Sequence, residues 1–527
     1  MKNPAMLPRL FCLFLLSAST AICEPAPAFR LAPLFADMAV LQRDKPVAVW
    51  GLAEPGDEVT VEFAGQSKKS TADGNGRWKV LLDPLKMSAQ AQTLRATSAR
   101  TGRNITASDL LVGDVWFCSG QSNMTFAVMQ AADAAKEMAA ADFPLIRGWR
   151  SPLVASENPE FGNAAFWSKC SPHTETQGGV MRGWSAAAYY FAREVHRETG
   201  VPIGLIMSSY GGTEIEAWMS PSAIRDSGEE ASVMGRWNGL LARLPEMTKA
   251  WEADHARWVA EAAEAAKRGE TPKRKEPKLE GVGSRKQPSS LYNAMVAPFI
   301  PYGLRGFLWY QGESNVGRHE AYKNLFPALI RSWRADFGQG DLPFYFVQIA
   351  NFEPKNSPSP DSWAFLREAQ ASVLSLPKTG MAIAFDVGDA ADIHPKNKQD
   401  VGHRLALHAL KNEFNKDVIT TGPVFQGAER KGSAMLVSFQ GDPEPDLKGN
   451  GARAFELAGA DRKFFPATAQ IEGNHLSISS PDVPEPVAVR YAWWNQPNVV
   501  LFGASGLPAP PFRSDAWPMS EVSQKPQ

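Results

Sequence analysis

The chain has 527 residues, of which 44% are hydrophobic and 21% are charged. These fractions are typical of globular proteins, and they exclude disordered, collagen-like and coiled-coil chains. The 55 lysines and arginines balance 56 aspartates and glutamates, so the chain has no basic excess and we expect no nucleic-acid partner. The length indicates about three domains.

The N-terminal segment 1–23 has the composition of a secretory signal peptide. Lys2 and Arg9 provide a positive start, and the apolar run over residues 10–22 is shorter than the roughly 20 residues that a bilayer span requires. No later stretch is apolar enough to span a membrane, so we expect a secreted or periplasmic protein after cleavage of the signal. A lipoprotein signal ending at Cys23 is the alternative.

Two cysteines, Cys118 and Cys170, follow the predicted signal peptide. In an oxidising compartment they could form one disulfide, and two buried free thiols are the alternative. Their spacing does not match the CxxC pattern of metal and redox sites, so we assign them no chemistry.

Short segments with alternating apolar residues fill the region 29–107. Residues 47–50, 59–63 and 78–82 have a period of two, and Asp-Gly and Asn-Gly pairs at 73–76 lie between them. Period-two segments separated by such turns are typical of antiparallel strands. The pattern therefore predicts a small N-terminal β-sandwich domain.

Strand and helix patterns alternate over the region 108–419. The strand patterns lie at 111–118, 201–207, 306–310, 344–349 and 381–385, and the helix patterns at 186–198, 322–336, 363–374 and 398–411. This alternation predicts an α/β fold with a parallel sheet that helices cover on both faces. From 420 to 515 the chain returns to strand patterns with proline breaks, which predicts a C-terminal β-rich domain.

The alternation is interrupted between residues 220 and 288. Met247, Trp251 and Trp258 recur at helical spacing in a charged stretch, and a basic linker at 273–275 follows them. Charged stretches of this kind are usually solvated faces. We therefore expect an inserted helical segment rather than a binding patch.

Four polar clusters follow predicted strands, which is where open parallel sheets have their functional sites. The clusters are Gly-Gln-Ser-Asn at 120–123, Ser-Tyr-Gly-Gly-Thr at 209–213, Gln-Gly-Glu-Ser-Asn at 311–315 and Asp-Ile-His-Pro at 392–395.

The residue types in these clusters suit nucleophilic catalysis. Ser122 could be only a helix N-cap, but its glycine and polar neighbours are what a nucleophile beside an oxyanion site requires. The glycine pair at 211–212 either makes a turn or exposes a backbone N–H to a ligand. Polar residues at 311–315 are costly at the end of a buried strand unless they are hydrogen-bonded, which favours a site over a bare turn. His394 with Asp392 suits a general base and its orienting partner.

Taken together, the motifs resemble those of the SGNH hydrolases, and most closely those of the sialate O-acetylesterase family. They are Gly-Gln-Ser-Asn-Met at 120–124, Gly-Gly-Thr at 211–213 with Glu-Ala-Trp at 216–218, Trp-Tyr-Gln-Gly-Glu-Ser-Asn at 309–315 and Asp-Ile-His-Pro at 392–395. Segments at 291–295, 366–370 and 506–513 also resemble that family, so the likeness extends from about residue 30 to residue 515.

The resemblance implies a flavodoxin-like SGNH core with β-rich accessory domains. It also implies a serine esterase that removes O-acetyl groups from sugars through an acetyl-serine intermediate, without a metal or cofactor. Ser122 would be the nucleophile, His394 the general base and Asp392 the residue that orients it. The backbone N–H groups of Ser122 and of Gly211 or Gly212 would bind the oxyanion.

Two positions depart from the superfamily pattern. Where the superfamily has an asparagine side chain as third oxyanion donor, this chain has Gln311, which we favour because it stands first after the strand; Asn315 is the alternative. The usual Asp-x-x-His is Asp-x-His here, which leaves Asp389 as an alternative to Asp392. The residues that we assign to substrate binding or to support of the site are Gln121, Asn123, Glu313, Asn315 and Arg367.

Other functions compatible with the motifs differ in substrate or in chemistry. Acetylated xylan or another polysaccharide could replace sialic acid as the substrate of the same mechanism. A second alternative is a non-catalytic carbohydrate-binding surface protein, and a third is amide hydrolysis or acetyl transfer between sugars. The sequence leaves the identity of the sugar and the oligomeric state open.

Overall fold

The structure is a computed structural model that describes residues 28–162, 165–172, 180–355, 357, 359–442, 444–448 and 454–519. The predicted signal peptide lies outside the described residues.

The N-terminal region of the structure is built mainly from antiparallel strands. The N-terminal strands are β1 (Arg30–Leu31), β2 (Val40–Gln42), β3 (Val47–Leu52), β4 (Glu58–Phe63), β5 (Gln66–Thr71), β6 (Arg77–Leu82), β7 (Ser88–Ser98) and β8 (Asn104–Gly120).

All of these strands except β2 form two antiparallel groups, and β2 pairs with β8 in parallel. One group is the sheet β1-β3-β6, and the other pairs β5, β4, β7 and the first half of β8. Val59 and Val61 of β4 and Trp78 of β6 are buried in one shared hydrophobic core, as the period-two pattern predicts. Strand β8 continues without a break past residue 107 into the next region. The division of the chain into domains stays a prediction.

The central region alternates helices with strands. Its elements are α1 (Ser122–Thr125), α2 (Ala134–Ala140), β9 (Phe143–Arg150), β10 (Trp167–Cys170), α3 (Ala186–Thr199), β11 (Ile203–Ser209), α4 (Pro221–Asp226), α5 (Glu230–Lys267), α6 (Ser290–Met295), β12 (Gly306–Tyr310), α7 (His319–Phe337), β13 (Phe344–Val347), α8 (Ser362–Ala371), β14 (Thr379–Ala382) and α9 (Gln399–Phe414).

The central strands lie in the order β10-β9-β11-β8-β12-β13-β14. All neighbours from β9 to β14 pair in parallel, whereas the edge strand β10 pairs with β9 in antiparallel orientation. The prediction of an α/β fold is therefore confirmed, with a mixed rather than a purely parallel sheet.

Helices cover both faces of this sheet. Trp116 and Phe117 are consecutive residues of β8 and therefore point to opposite faces. Trp116 belongs to a core cluster that includes residues of α3 and α9, whereas Phe117 belongs to a cluster that includes residues of α6 and α7. The continuous apolar run of β8 thus reflects burial on two sides.

The inserted segment is dominated by α5, which has 38 residues. Its buried residues are Val233, Trp237 and Ala265, so most of the helix faces solvent as expected. The chain then returns along the helix, because Trp251 and Trp258 donate indole hydrogen bonds to the carbonyls of Pro277 and Arg274. No helix in the described ranges has the length and apolar character that crossing a membrane requires.

The C-terminal region is β-rich, as predicted. Its strands are β15 (Val424–Lys431), β16 (Ala434–Gln440), β17 (Pro445–Leu447), β18 (Phe455–Ala458), β19 (Phe464–Glu472), β20 (His475–Ser479), β21 (Ala488–Tyr491), β22 (Leu501–Gly503) and β23 (Phe512–Arg513). Seven of them form an antiparallel sheet in the order β15-β16-β20-β19-β18-β21-β23, and β17 pairs with β22.

The two cysteines are free and buried, so they are two thiols rather than one disulfide. Cys118 lies in β8 and Cys170 in β10. Burial raises the pKa of the Cys170 thiol to about 12, so the reactive thiolate is not populated at neutral pH.

Only glycine fits without strain at position 120, where β8 ends between β11 and β12. Its φ is 136°, and a Cβ there would lie 2.1 Å from the carbonyl oxygen of Tyr310. We expect Gly120→Ala to lower the free energy of unfolding by about 2 kcal/mol or more, because the backbones must separate. The measurement is thermal unfolding followed by circular dichroism.

The matched control is Gly239→Ala in α5, where a Cβ meets no atom within 4 Å. Since alanine is the better helix former, this variant should unfold at or above the wild-type temperature, with a gain of about 1 kcal/mol. Equal unfolding temperatures for wild type and Gly120→Ala would contradict the close approach at the end of β8.

Candidate active site

Three of the predicted polar clusters meet at one edge of the central sheet. The ends of β11, β8 and β12 are neighbours, since Gly120 pairs with Ser209 on one side and with Tyr310 on the other. The chain segments that follow these three residues therefore begin side by side, at the carboxyl ends of parallel strands.

Ser122 is the first residue of the four-residue helix α1 and is half-buried. The preceding turn is held from both sides, because the Gln121 N–H donates to the Tyr310 carbonyl (2.9 Å) and the Tyr210 N–H donates to the Gly120 carbonyl (3.0 Å). Gln121, rather than Ser122, is the N-cap, and no side chain caps the helix. The interpretation of Ser122 as a helix cap therefore does not hold.

The glycine loop packs directly against Ser122. A Cβ on Gly211 would lie 3.3 Å from the Cβ of Ser122, so a side chain there would crowd the serine. The Gly211 carbonyl accepts a hydrogen bond from Nη1 of Arg285 (2.7 Å), a residue of the return segment after α5. Gly212 has a φ of 69°, which favours glycine.

The fourth cluster is attached to the segment that carries Ser122. Nδ2 of Asn123 donates to the carbonyl of Ile393 (3.0 Å), so the residue after Ser122 is bonded to the residue before His394. The rings of Phe126 and His394 are stacked, with centroids 6.2 Å apart. All four clusters therefore lie together at this edge of the sheet.

Asp392 is the carboxylate beside His394. Its Oδ1 lies 3.4 Å from Nδ1 of His394 and accepts the backbone N–H of His394 at 2.9 Å. The carboxylate of Asp389 instead accepts the N–H of Ala391 (2.8 Å). Burial lowers the pKa of His394, although Asp392 opposes this shift, so the imidazole is neutral at neutral pH and able to accept a proton.

A buried lysine that the sequence patterns did not single out supports this arrangement. Nζ of Lys398 donates to Oδ1 of Asn123 and to the Pro395 carbonyl, both at 2.7 Å, and Nδ2 of Asn123 donates to Glu313 (2.6 Å). We call Asn123, Glu313 and Lys398 the Asn123 network. Burial lowers the pKa of Lys398 to about 7 and raises the pKa of Glu313.

The amides of Gln311 and Asn315 are engaged with each other and with the segment after the glycine loop. Nε2 of Gln311 donates to the Thr213 carbonyl (3.2 Å) and to Oδ1 of Asn315 (2.7 Å), which uses both of its N–H groups. Nδ2 of Asn315 donates to Glu216 (3.0 Å). These bonds fasten the third cluster to the second.

Gln121 has a different hydrogen-bond pattern from Gln311. Its Oε1 accepts the N–H of Ser314 (3.2 Å), whereas its Nε2 donates to no acceptor within the described ranges. The side chain is 2% exposed and lies next to Ser122 in the chain. The Gln121 amide therefore retains an unused N–H donor, next to Ser122 in the chain.

Arg367 does not reach this group of residues. It is fully buried in α8 and donates to the carbonyls of Ile349, Ala350, Trp494 and Asn495. Burial lowers its pKa to about 9. Its contacts join the central region to the C-terminal region, so Arg367 supports the fold around the site.

Comparison with known proteins identifies the family. Over 92% of its length the chain is 32% identical to the sialate O-acetylesterase of Mus musculus, of which the match covers 94%. The chain belongs to the sialate O-acetylesterase family. This finding confirms the resemblance of the motifs, and it makes the protein a carboxylic ester hydrolase.

Further matches agree with this assignment. The sialate O-acetylesterase of Homo sapiens is 31% identical over 92% of each chain. The family model described as "Carbohydrate esterase, sialic acid-specific acetylesterase" matches residues 281–411. The crystal structure of a carbohydrate acetylesterase from Xanthomonas citri is similar over 93% of this chain and all of its own, with a TM-score of 0.77 and 35% identity.

The depressed pKa of Lys398 predicts a pH-dependent contribution to stability. Between pH 7 and about 10.5 the unfolded chain binds a proton at Lys398 that the folded chain releases, so the folded state gains stability as the pH rises through this window. The free energy of unfolding of wild type minus that of Lys398→Met should therefore increase from pH 7 to pH 9, by at most about 1.4 kcal/mol per pH unit.

Urea unfolding of both proteins across this pH range measures the difference. Lys396→Met is the matched control, since Lys396 lies two residues away and is exposed. A difference between wild type and Lys398→Met that stays constant from pH 7 to pH 9 would show that the buried ammonium is not penalised.

Proposed function

We propose that this protein removes O-acetyl groups from sugars through an acetyl-serine intermediate, with Ser122 as nucleophile, His394 as general base and Asp392 as the residue that orients the base. The observation that carries the proposal is the hydrogen bond from Asn123 to the Ile393 carbonyl. It ties the segment of the nucleophile to the segment of the base at the edge where open parallel sheets have their sites.

In the first half-reaction, His394 takes the proton of the Ser122 hydroxyl as its oxygen attacks the carbonyl carbon of the acetyl ester. The carbonyl π electrons move to the oxygen and form a tetrahedral oxyanion. When the intermediate collapses, the bond to the sugar oxygen breaks, and the leaving hydroxyl receives the proton from the imidazolium. Asp392 stabilises the imidazolium and holds the ring through Nδ1.

In the second half-reaction, a water molecule replaces the sugar. His394 removes one of its protons while the oxygen attacks the acetyl-serine carbonyl, and a second tetrahedral oxyanion forms. When it collapses, the bond between the acetyl carbon and the Ser122 oxygen breaks, the imidazolium returns the proton to Ser122, and acetic acid leaves and ionises to acetate in the solvent.

The oxyanion is stabilised in this proposal by backbone N–H groups of Ser122 and of Gly211 or Gly212. The Arg285 guanidinium bonded to the Gly211 carbonyl polarises the peptide that carries the Gly212 N–H, which strengthens it as a donor. Gln311 could act as a third donor only by breaking one of its present bonds. The free Nε2 of Gln121 needs no such rearrangement, and we propose it as the third oxyanion donor instead of Gln311.

We also assign the central region to the flavodoxin-like SGNH class. Its strands β11-β8-β12-β13-β14, numbered in chain order, follow the arrangement 2-1-3-4-5 of flavodoxin-like sheets. We further propose that the enzyme acts outside the cytoplasm after loss of residues 1–23. The substrate class is O-acetylated sugars, because the mammalian relatives are named for sialate and the Xanthomonas citri protein for carbohydrates.

Ser122→Ala should lower kcat by about 10⁴-fold or more, because the variant has no nucleophile. The measurement is acetate release from a panel of O-acetylated glycans, together with a chromogenic acetyl ester. Ser314→Ala is the matched control, a serine of the third cluster whose backbone N–H, rather than its side chain, contacts Gln121.

The same assay separates the alternatives. Equal background rates for wild type and Ser122→Ala would favour a carbohydrate-binding protein without catalysis. Mass spectrometry of the products distinguishes the acyl chemistries, because only an esterase releases free acetate from an O-acetylated glycan.

The roles of Asp392 and Asp389 predict different pH profiles. In wild type, kcat/KM should fall as the pH drops through the depressed pKa of His394, below 6.5. Because the Asp392 carboxylate raises that pKa, Asp392→Asn should move the acid limb to lower pH and also reduce kcat, by about 10²-fold to 10⁴-fold.

Asp389→Asn is the matched control and should keep the wild-type acid limb, since its carboxylate bonds to Ala391. The pH dependence of chromogenic ester hydrolysis by the three proteins gives the result. A shifted limb in Asp389→Asn with an unchanged limb in Asp392→Asn would exchange the two roles.

A further inference from the structure

A cavity of about 290 Å³ lies between α5 and the loops that follow β11 and β12. This volume is at the lower end of the range for small-molecule sites, about 300 to 1,000 Å³. The residues that matter for its chemistry are Glu214, Glu216, Arg236, Trp237, Lys286 and Arg318. We call it the insertion cavity, because α5 and the return segment supply one side of it.

The insertion cavity is close to the proposed nucleophile. Glu214 is three residues after Gly211, which packs against Ser122, and a chain advances at most 3.8 Å per residue, so their Cα atoms are at most about 11 Å apart. Arg285 also connects the two places, since it donates to the Gly211 carbonyl (2.7 Å) and to Glu280 (3.0 Å), which lines the cavity.

The charges around the insertion cavity are paired. Its lining contains three carboxylates (Glu214, Glu216, Glu280) and three cations (Arg236, Lys286, Arg318). Lys286 bonds to Oε1 of Glu214 at 2.8 Å, Arg236 bonds to Glu216, and Arg318 lies 3.7 Å from Glu216. Glu280 accepts from Arg285, which is outside the lining. Because each of these cations already contacts a carboxylate, the chemistry favours an uncharged group over the carboxylate of an acidic sugar.

Two polar side chains of the lining, Glu214 and Arg318, are 23% and 29% exposed, and one accepts hydrogen bonds while the other donates them. A sugar hydroxyl both donates and accepts, so it can bond to either side chain. Trp237, Val233 and Met247 add the apolar surface on which the C–H face of a sugar ring packs.

We propose that the insertion cavity binds an uncharged sugar ring of the substrate glycan, next to the ring that carries the acetyl group. The proposal rests on the proposed function. Trp237 packs on the ring, the Glu214 carboxylate accepts a hydrogen bond from a hydroxyl, and the Arg318 guanidinium donates to one. The inserted segment is then part of the substrate-binding surface, in contrast to the expectation of a solvated excursion.

The test compares short and long substrates. We would measure kcat/KM for O-acetylated xylose and O-acetylated xylotetraose, and for O-acetylated sialic acid and O-acetylated sialyllactose. In the series that the enzyme cleaves, wild type should prefer the longer substrate, and Trp237→Ala should lower this preference about tenfold. Met234→Ala is the matched control, an exposed residue of α5 outside the cavity lining.

Glu214→Gln is a second variant in case Trp237→Ala does not fold, which circular dichroism would reveal. It keeps the shape of the side chain and should also lower the preference for the longer substrate. An equal rate for short and long substrates in wild type, or an unchanged ratio in folded Trp237→Ala and Glu214→Gln, would overturn the proposal.

A binding experiment separates this proposal from the catalytic one. Calorimetry with unacetylated xylotetraose and with lactose on Ser122→Ala requires no chemistry, and Trp237→Ala in that background should weaken the binding about tenfold. If Ser122→Ala retains the wild-type rate of acetate release, the catalytic proposal fails. The binding result still tests whether the insertion cavity binds a sugar ring. Failure of both sugars to bind, or binding unaffected by Trp237→Ala, overturns the cavity proposal alone.

Discussion

The candidate site depends on the hydrogen bonds of the Asn123 side chain. Its Oδ1 accepts from Lys398, and its Nδ2 donates both to Glu313 and to the Ile393 carbonyl. One amide thus joins the segment of the proposed nucleophile, the cluster after β12 and the loop of the proposed base. Because these groups are buried, losing one of these hydrogen bonds would leave a polar group without a partner, so the network stabilises the arrangement of the three segments.

The sheet provides the frame within which this network forms. Parallel pairing of β11, β8 and β12 brings three loops to one edge, and the close approach at Gly120 leaves no room for a side chain. A second set of bonds, from Gln311 to Asn315 and from Asn315 to Glu216, fixes the loops farther from Ser122. The backbone donors proposed for the oxyanion are therefore positioned before any substrate binds, which is what electrostatic stabilisation of a transition state requires.

The inserted segment illustrates what a charge pattern leaves open. A charged helix has the same sequence pattern whether its charges face water or pair across a cavity. Most of α5 is solvated, but Arg236 pairs with Glu216, which is 20 residues away, and Lys286 pairs with Glu214, which is 72 residues away. These pairings, together with the contact of Arg285 with Gly211, bring the insertion to the glycine loop.

The sequence by itself determined the alternation of strands and helices, the position of the four polar clusters and the family. These features are local, because hydrophobic periodicity and turn chemistry act over a few residues, and the motifs are contiguous. Only the tertiary structure decided that Lys398 contacts Asn123, 275 residues away, that Asp392 rather than Asp389 faces His394, and that both N–H groups of Gln311 are occupied. Hydrogen bonding and burial depend on partners that are distant in the chain, and these partners cannot be identified from a single sequence.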